Sequence, residues 1–343
     1  MPQAARESGW QGMAQRRGPL ACLLWPLSLV YRALLGLRRT AYRLGWLRAR
    51  ALPVPVLVVG NLVAGGAGKT PTTLALIEHL RARGWRVGVV SRGHGRREDA
   101  VTAVRDDTDP ARSGDEPLLI RRRTGVPVWV GRRRVDAAQA LLAAHPEVNL
   151  IVCDDGLQHW PLRSDLRIAV FDARGLGNGW LLPAGLLREP WPPRAGSTQA
   201  PQLLLCPPDL VLPVPAGMAR FGVRRGLAAQ AVDLQGRTRP LHTFSDTPCA
   251  ALAAIARPEA FFGMLAAAGV RPQRLLPLPD HADASALRRA IAGWQGPVLC
   301  TEKDLVKLAG LPASQPAWAV PLRLDIDPGF FAAVDAHLAT LRR

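Results

Sequence analysis

The residues Val56-Leu-Val-Val-Gly60 lead into Asn61-Leu-Val-Ala-Gly65-Gly66-Ala67-Gly68 and end in Lys69-Thr70-Pro71. An apolar β-type run enters a glycine-rich turn, which opens onto a helical pattern, Thr73-Leu-Ala-Leu-Ile-Glu-His-Leu80. This order is that of a nucleotide-phosphate loop. Glycines let backbone N–H groups turn inward around an anion, and a helix N-terminus adds its positive dipole end. In that reading Lys69 reaches the β- and γ-phosphates and the Thr70 hydroxyl holds Mg²⁺. Gly65, Gly66, Ala67, Gly68 and Pro71 complete the nucleotide-binding turn. Val63 stands where such loops usually have their first glycine. Gly65 and Gly66 are therefore expected to supply the tight turn.

Four further segments carry side chains that can do chemistry. Ile151-Val-Cys-Asp154-Asp155-Gly156-Leu-Gln158-His159 is an apolar run ending in paired carboxylates. Downstream of a phosphate loop this is the place for a Mg²⁺-coordinating acid, although an Asp-Asp-Gly turn has the same composition. Ser113-Gly-Asp115-Glu116-Pro117 is acidic within a basic chain. Its carboxylates either complement a helix dipole or supply a base for a substrate hydroxyl, and residue types alone leave both readings open. Arg188 and Glu189 fall in Leu182-Pro-Ala-Gly-Leu-Leu-Arg-Glu-Pro190. They read as a phosphate-contacting arginine with an orienting or metal-assisting acid, or as a solvated ion pair. His281, in Pro279-Asp-His281, gains interest only if it faces the phosphate loop and pairs with a carboxylate. The arginine groups 121–123 and 132–134 are simplest as solvated faces, with Arg134 a further candidate for substrate phosphate.

These groups need a scaffold, and the chain is long enough to hold two domains. It has 343 residues, of which 48% are hydrophobic, and a formal charge of +17. Short all-apolar runs separated by helical patterns continue from Val54: strands at 54–59, 86–91, 127–130, 150–153, 166–171 and 203–206, with helices at 72–83, 118–123 and 135–144. They predict a parallel sheet covered on both faces. A Pro- and Gly-dense stretch follows. Segments 228–234 and 238–244 are expected to form a small linking strand pair, and a second α/β unit comes after it. The predicted organisation is an N-terminal segment over 1–50, a phosphate-loop domain over 51–225, the linking pair over 226–248 and a smaller α/β domain over 249–343.

The positive charge favours acidic partners. Aromatic content is only 6%, and no zinc finger, RNP motif or heptad-linked basic region is present. Nucleic acid is therefore not expected as a partner, and no obligate protein partner is indicated. The five cysteines are scattered without a Cys-x-x-Cys pair, which fits buried free thiols rather than a disulfide or zinc framework. The first fifty residues combine an apolar stretch with Trp25, Tyr31, Tyr42, Trp46 and flanking arginines. That pattern predicts a helix lying in a membrane interface against anionic head groups. Pro26 and Arg32 argue against a spanning helix, and no cleavage site marks the segment as a signal peptide.

Together the ordered motifs resemble one family, tetraacyldisaccharide 4′-kinase, the lipid A 4′-kinase of Gram-negative bacteria. They are Val-Gly-Asn-Leu, Gly-Gly-x-Gly-Lys-Thr-Pro, Ser91-Arg-Gly93, Gly-Asp-Glu-Pro, Asp-Asp-Gly-Leu-Gln-His, Leu-Leu-Pro-Ala-Gly, Leu-Arg-Glu-Pro, Ala-Arg-Pro-Glu, Pro-Asp-His and Thr-Glu-Lys-Asp. The resemblance runs from about residue 26 to about residue 307. It implies a P-loop NTPase-type fold and a smaller second α/β domain. The implied activity is ATP- and Mg²⁺-dependent phosphorylation of the 4′-hydroxyl of an acylated glucosamine disaccharide 1-phosphate. It also implies a monotopic enzyme on the cytoplasmic face of the inner membrane. Carried over by position, Lys69 and Thr70 are the phosphate-loop pair, and Asp154 and Asp155 serve Mg²⁺ with Gln158 nearby. Asp115 is the base, tuned by His281, with Glu116 beside it and toward the metal. Arg188 and Glu189 lie at the phosphates. His94, Leu186 and Ala282 depart from the family's usual residues, and the last makes His281 the functional histidine of its motif. The alternatives outside this class are a P-loop GTPase or ATPase of the metallochaperone or transporter-motor type, and a non-catalytic membrane scaffold.

Overall fold

The computed structural model of the chain describes residues 10–65, 68–96, 99–194, 196–280, 282–308, 310–312 and 315–341. Three expected site residues, Gly66, Ala67 and His281, lie outside the described residues. In chain order the strands are β1 (Val56–Gly60), β2 (Val87–Ser91), β3 (Thr102–Val104), β4 (Val128–Val130), β5 (Leu150–Asp154), β6 (Leu166–Val170), β7 (Leu203–Cys206) and β8 (Ala219–Leu227). They continue with β9 (Gln230–Val232), β10 (Thr238–Pro240), β11 (Ala250–Ala253), β12 (Arg274–Pro277), β13 (Val298–Cys300), β14 (Ala317–Ala319) and β15 (Leu322–Ile326). The first sheet has the order β15-β8-β7-β6-β1-β5-β2-β4-β3, and the second β10-β9-β14-β13-β11-β12.

β1 is central and parallel to both neighbours, with Val59 opposite Asp154 of β5 and Ile168 of β6. Every residue of β1, β2 and β5 is buried. Successive side chains of a strand point to opposite faces, and β1 divides accordingly. Leu57 and Val59 join one core, while Val56 and Val58 join the other. This is why the strands read as continuous apolar runs rather than alternating ones. The first core also takes Leu76, Ile77 and Leu80 from the helix Lys69–Ala82 that follows β1. The sheet thereby sets its carboxyl edge, where β1 and β5 end, as the ligand-binding edge of an open α/β fold.

The second sheet is parallel through β12-β11-β13-β14, with β9 and β10 antiparallel at one edge. The expected strand pair is thus present in shorter form, 230–232 with 238–240, and belongs to this sheet. The short edge strand β3, antiparallel to β4, was not expected, and two larger features also depart from the predicted layout. β8 was not predicted; it pairs parallel with β7 and antiparallel with β15. Its sequence, Ala-Arg-Phe-Gly-Val-Arg-Arg-Gly-Leu, is half exposed and lacks an apolar run. The C-terminal residues also leave the second unit. β15 joins the first sheet, and Phe330, Val334 and Leu338 of the helix Pro328–Leu341 are buried in its core. The predicted span 249–343 therefore does not describe residues 322–341.

The N-terminal apolar stretch is a helix, Pro19–Arg43, with Pro19 at its first turn and Pro26 inside it. It is long and apolar enough to cross a membrane by length and composition. Only Ala21, Ser28 and Leu35 are buried. Leu20, Leu23, Leu27, Val30, Leu34 and Leu37 are more than half exposed. Cys153, Cys206, Cys249 and Cys300 are buried free thiols, while Cys22 on this helix is exposed.

Candidate functional site

The phosphate-loop turn is shaped by two glycines and one amide. Gly65 and Gly68 have φ of +91° and +80°, the left-handed region that favours glycine. Asn61 Nδ2 donates to the carbonyls of Val63 (2.6 Å) and Gly65 (3.0 Å), bending the chain after β1. Gly68 caps the helix that begins at Lys69. Lys69 Nζ, 8% exposed as a residue, donates to Asn61 Oδ1 at 3.2 Å and lies 3.3 Å from Asp155 Oδ1. Thr70, in the same first turn, is also buried.

Asp154 ends β5 and is fully buried. Thr73 Oγ1, one turn along the helix from Thr70, donates to Asp154 Oδ1 at 2.8 Å. The other carboxylate oxygen, Oδ2, is buried and has no hydrogen-bond partner among the described residues. Burial pushes this carboxyl up to about 7; Glu116 and Asp155 add to the rise, and the Thr73 bond and Lys69 oppose it. A buried acid with an orphaned oxygen, beside two more carboxylates, fits a divalent cation. Among the described residues no cluster of three or more His, Cys, Asp or Glu forms a metal cage. A cation held partly by nucleotide phosphates needs only one or two carboxylates.

Asp155 plays a different part. It has φ +48°, a left-handed conformation that aspartate tolerates. Its carboxylate accepts from Arg188 Nη1 at 3.1 and 3.2 Å as well as facing Lys69. Burial raises its carboxyl, but Lys69 and Arg188 outweigh that and hold it below the ordinary value. Gln158 Nε2 donates to the carbonyl of Asn61 (3.2 Å), tying the post-β5 turn to the phosphate loop.

Arg134 and Glu189 have partners that residue types did not reveal. Arg134 Nη2 donates to the backbone carbonyl of Asp155 (3.0 Å), and its backbone N–H donates to His159 Nε2 (3.2 Å). Glu189 pairs with Arg39 of the N-terminal helix at 3.2 Å.

Asp115 opens the helix Asp115–Thr124 and is buried. Its carboxylate lies 2.8 Å from Lys307 Nζ, which also donates to the carbonyl of Ala282 at 2.9 Å. Lys307 comes from the second unit and joins the expected base to the residue after His281. The sequence signal was present, since Lys307 falls four residues after Lys303 in the Thr-Glu-Lys-Asp segment, but nothing local names its partner. Thr73 and Asn61 were likewise missed; the helical spacing of Thr70 and Thr73 was the signal for the former. Beside the Asp115 turn is a cavity of about 220 Å³ lined by Arg92, Arg96, Arg132, His94 and Asp99. Arg132 is solvent-exposed, as expected of a solvated face, and also lines this cavity.

His159 gives a pH dependence with a definite sign. Burial and the surrounding Arg134, Arg38, Arg133 and Arg92 push its imidazole down to about 3. The unfolded chain binds a proton near pH 6.5. This histidine therefore adds nothing to the pH dependence above about 6.5 and lowers stability as pH falls from there toward 3. Denaturant unfolding from pH 8 to pH 5 is expected to show a smaller loss for His159→Gln than for the parent protein. Parallel curves would remove His159 from the acid response.

A glycine-turned lysine loop after the central strand, facing two acids at the end of its neighbour, defines a P-loop nucleotide-binding protein of the phosphotransferase kind. Within that class the chain belongs to the tetraacyldisaccharide-1-P 4′-kinase family, whose model matches residues 20–339. It is 52% identical over 341 residues to tetraacyldisaccharide 4′-kinase of Acidovorax sp. (strain JS42), covering 96% of this chain and 94% of that protein. Identity to the kinase of the same name from Delftia acidovorans (strain DSM 14801 / SPH-1) is 47% over 336 residues, covering 98% and 96%. The fold matches the crystal structure of LpxK from Aquifex aeolicus in complex with ATP. The TM-score is 0.78 at 25% identity, over 93% of this chain and 99% of that one.

Proposed function

We infer that this protein transfers the γ-phosphoryl group of ATP to the 4′-hydroxyl of an acylated glucosamine disaccharide 1-phosphate. The observation that carries the reading is the meeting of Lys69, Asp154 and Asp155 at the phosphate loop of a chain in this kinase family. The acceptor oxygen bonds to the γ-phosphorus as the bond from phosphorus to the β-phosphate oxygen breaks. The hydroxyl proton passes to a base, and ADP leaves. Little covalent work falls to the protein, so its task is to position groups and neutralise charge.

Lys69 and the loop amides hold the phosphates. Arg188, held at Asp155, adds a second cation beside Lys69. Asp115 is the base, with Lys307 Nζ 2.8 Å from its carboxylate, and His281 is the residue that tunes it. The basic cavity of Arg92, Arg96 and Arg132 suits the substrate's own phosphate. Thr70, Asp154 and Glu116 are the residues that would hold Mg²⁺, which when bound neutralises charge on the β- and γ-phosphates. The exposed apolar face of the helix Pro19–Arg43 supports a monotopic placement on the anionic cytoplasmic face of the inner membrane, where the lipid substrate lies.

The test is transfer from labelled ATP to the lipid disaccharide 1-phosphate in detergent micelles, with the product's new phosphate located on the 4′-oxygen. ATP hydrolysis at an unchanged rate with and without the lipid, and no phosphorylated lipid, would instead favour a P-loop ATPase of the motor or metallochaperone type. The metal assignment has its own expected result. Asp154→Ala should raise the Mg²⁺ concentration for half-maximal activity more than Asp155→Ala does, because the Asp155 carboxylate is already taken by Lys69 and Arg188. A Mg²⁺ dependence unchanged by both substitutions would remove the pair from the metal site.

A further inference from the structure

The inner seam of the apolar helix Pro19–Arg43 ends on the loop that carries Arg188. Ser28 is buried, and its hydroxyl works in both directions. It donates to the carbonyl of Leu181 (2.9 Å) and accepts from the backbone N–H of Ala184 (3.0 Å). Tyr31 Oη donates to the carbonyl of Arg188 itself at 2.9 Å. Arg39 pairs with Glu189, the next residue, at 3.2 Å. At 3.6 residues per turn these three side chains fall on one face roughly 80° wide, and Ser28 and Arg39 lie ~16 Å apart along the axis. The face includes the buried line of Ala21, Ser28 and Leu35.

The other side of the same loop is stapled to the phosphate-loop segment. Arg188 N–H donates to the carbonyl of Leu62 (2.7 Å), and Ala64 N–H donates to that of Leu186 (2.8 Å). The Arg188 side chain then reaches the Asp155 carboxylate, which also faces Lys69. A continuous path runs from helix seam to loop backbone to guanidinium to the acid beside the phosphate-loop lysine. Anchoring alone requires only the exposed apolar face. It does not require hydrogen bonds aimed at the backbone of an active-site arginine.

We propose that Ser28, Tyr31 and Arg39 are positioning residues for the reaction, holding the 181–189 loop so that the Arg188 guanidinium stays at the nucleotide phosphates. The proposal rests on the functional reading above. The same helix thus has two separable duties, one on each face: the outer face meets the lipid surface, and the inner face sets the position of Arg188.

The test compares Tyr31→Phe, Arg39→Gln and their double variant with the parent protein, alone and combined with Arg188→Ala. Tyr31→Phe keeps the ring and loses one hydrogen bond, so kcat is expected to fall about fivefold, the scale of one net hydrogen bond. The double variant should fall further, with Arg39→Lys restoring most of the Arg39→Gln loss. Flotation on anionic vesicles should be unchanged, because the outer face is intact. In the Arg188→Ala background Tyr31→Phe should cost nothing more, since residues acting through one group do not add. An unchanged kcat in the double variant, or the same Tyr31→Phe loss with and without Arg188, would overturn the proposal. Affinity for a fluorescent ATP analogue is measured on the same set without lipid. It should weaken in the seam variants only while Arg188 is present. That arm judges the seam even if the parent protein phosphorylates no lipid, an outcome that would overturn the functional reading instead.

Discussion

Lys69→Ala is expected to reduce phosphoryl transfer at least ~10²-fold in a protein that still folds, the scale of losing one preorganised electrostatic stabiliser. The ammonium is buried and held between Asn61 Oδ1 and the Asp155 carboxylate, so its position is fixed before nucleotide enters. A preorganised charge costs no reorganisation at the moment of transfer, and its removal is felt chiefly in kcat. Removing it also takes one of the cations from the Asp155 carboxylate, which keeps its contact with Arg188, so folding should be checked by thermal unfolding before rates are compared. Lys69→Arg is a useful companion, because the wider guanidinium keeps charge but not the point geometry. Near-normal turnover in folded Lys69→Ala would sink the kinase assignment.

Asp115→Asn is expected to lower kcat by ~10²- to 10⁴-fold, the usual contribution of a positioned base, with little change in ATP affinity. The amide keeps the shape and loses the capacity to take the hydroxyl proton. His281→Ala should act on the same step. If the two work as a unit, the double variant should be little worse than either single one. Fully multiplicative losses would show that they act separately. The ion pair with Lys307 makes a third variant informative. Lys307→Met removes the ammonium that lies 2.8 Å from the Asp115 carboxylate in the parent protein. It should depress kcat in the parent background and have a smaller effect in Asp115→Asn.

The phosphate loop and the paired acids could be read from the chain because their signals are local. Val56–Gly60, the glycines and Lys69-Thr70 are contiguous, and Asp154 directly follows a buried run. What holds them is not local. Thr73 and Lys307 act through Asp154 and Asp115, far away in the chain, and no local pattern names those partners. Asn61 bonds within the phosphate-loop segment, but its residue type alone does not announce that it ties the turn together. Arg134 and Glu189 were legible as charged groups near the site, but their partners, the Asp155 carbonyl and Arg39, are set by packing. β8 escaped detection for a related reason. Arginine-rich and half exposed, it is a strand because β7 and β15 flank it, not because its own sequence alternates. The N-terminal segment shows both limits at once. Its apolar character was plain, yet which three residues in twenty-five are buried emerges only once the loop it rests on is in place.

The return of the C-terminus to the first sheet means that the smaller unit is an insertion, enclosed at both ends by the larger one. The chain leaves through β8 and comes back through β15, and these two strands are antiparallel neighbours at one edge. Cutting the gene after codon 248 would therefore not release a freestanding nucleotide-binding half. The fragment would lose the edge strand β15 and the helix that buries Phe330, Val334 and Leu338, each apolar side chain worth about 1.5–3 kcal/mol of burial. Excision from within, joining the end of β8 to the start of β15 by a tight turn, respects the architecture. The register already places Leu227 opposite Leu322, two chain ends brought side by side as in a hairpin.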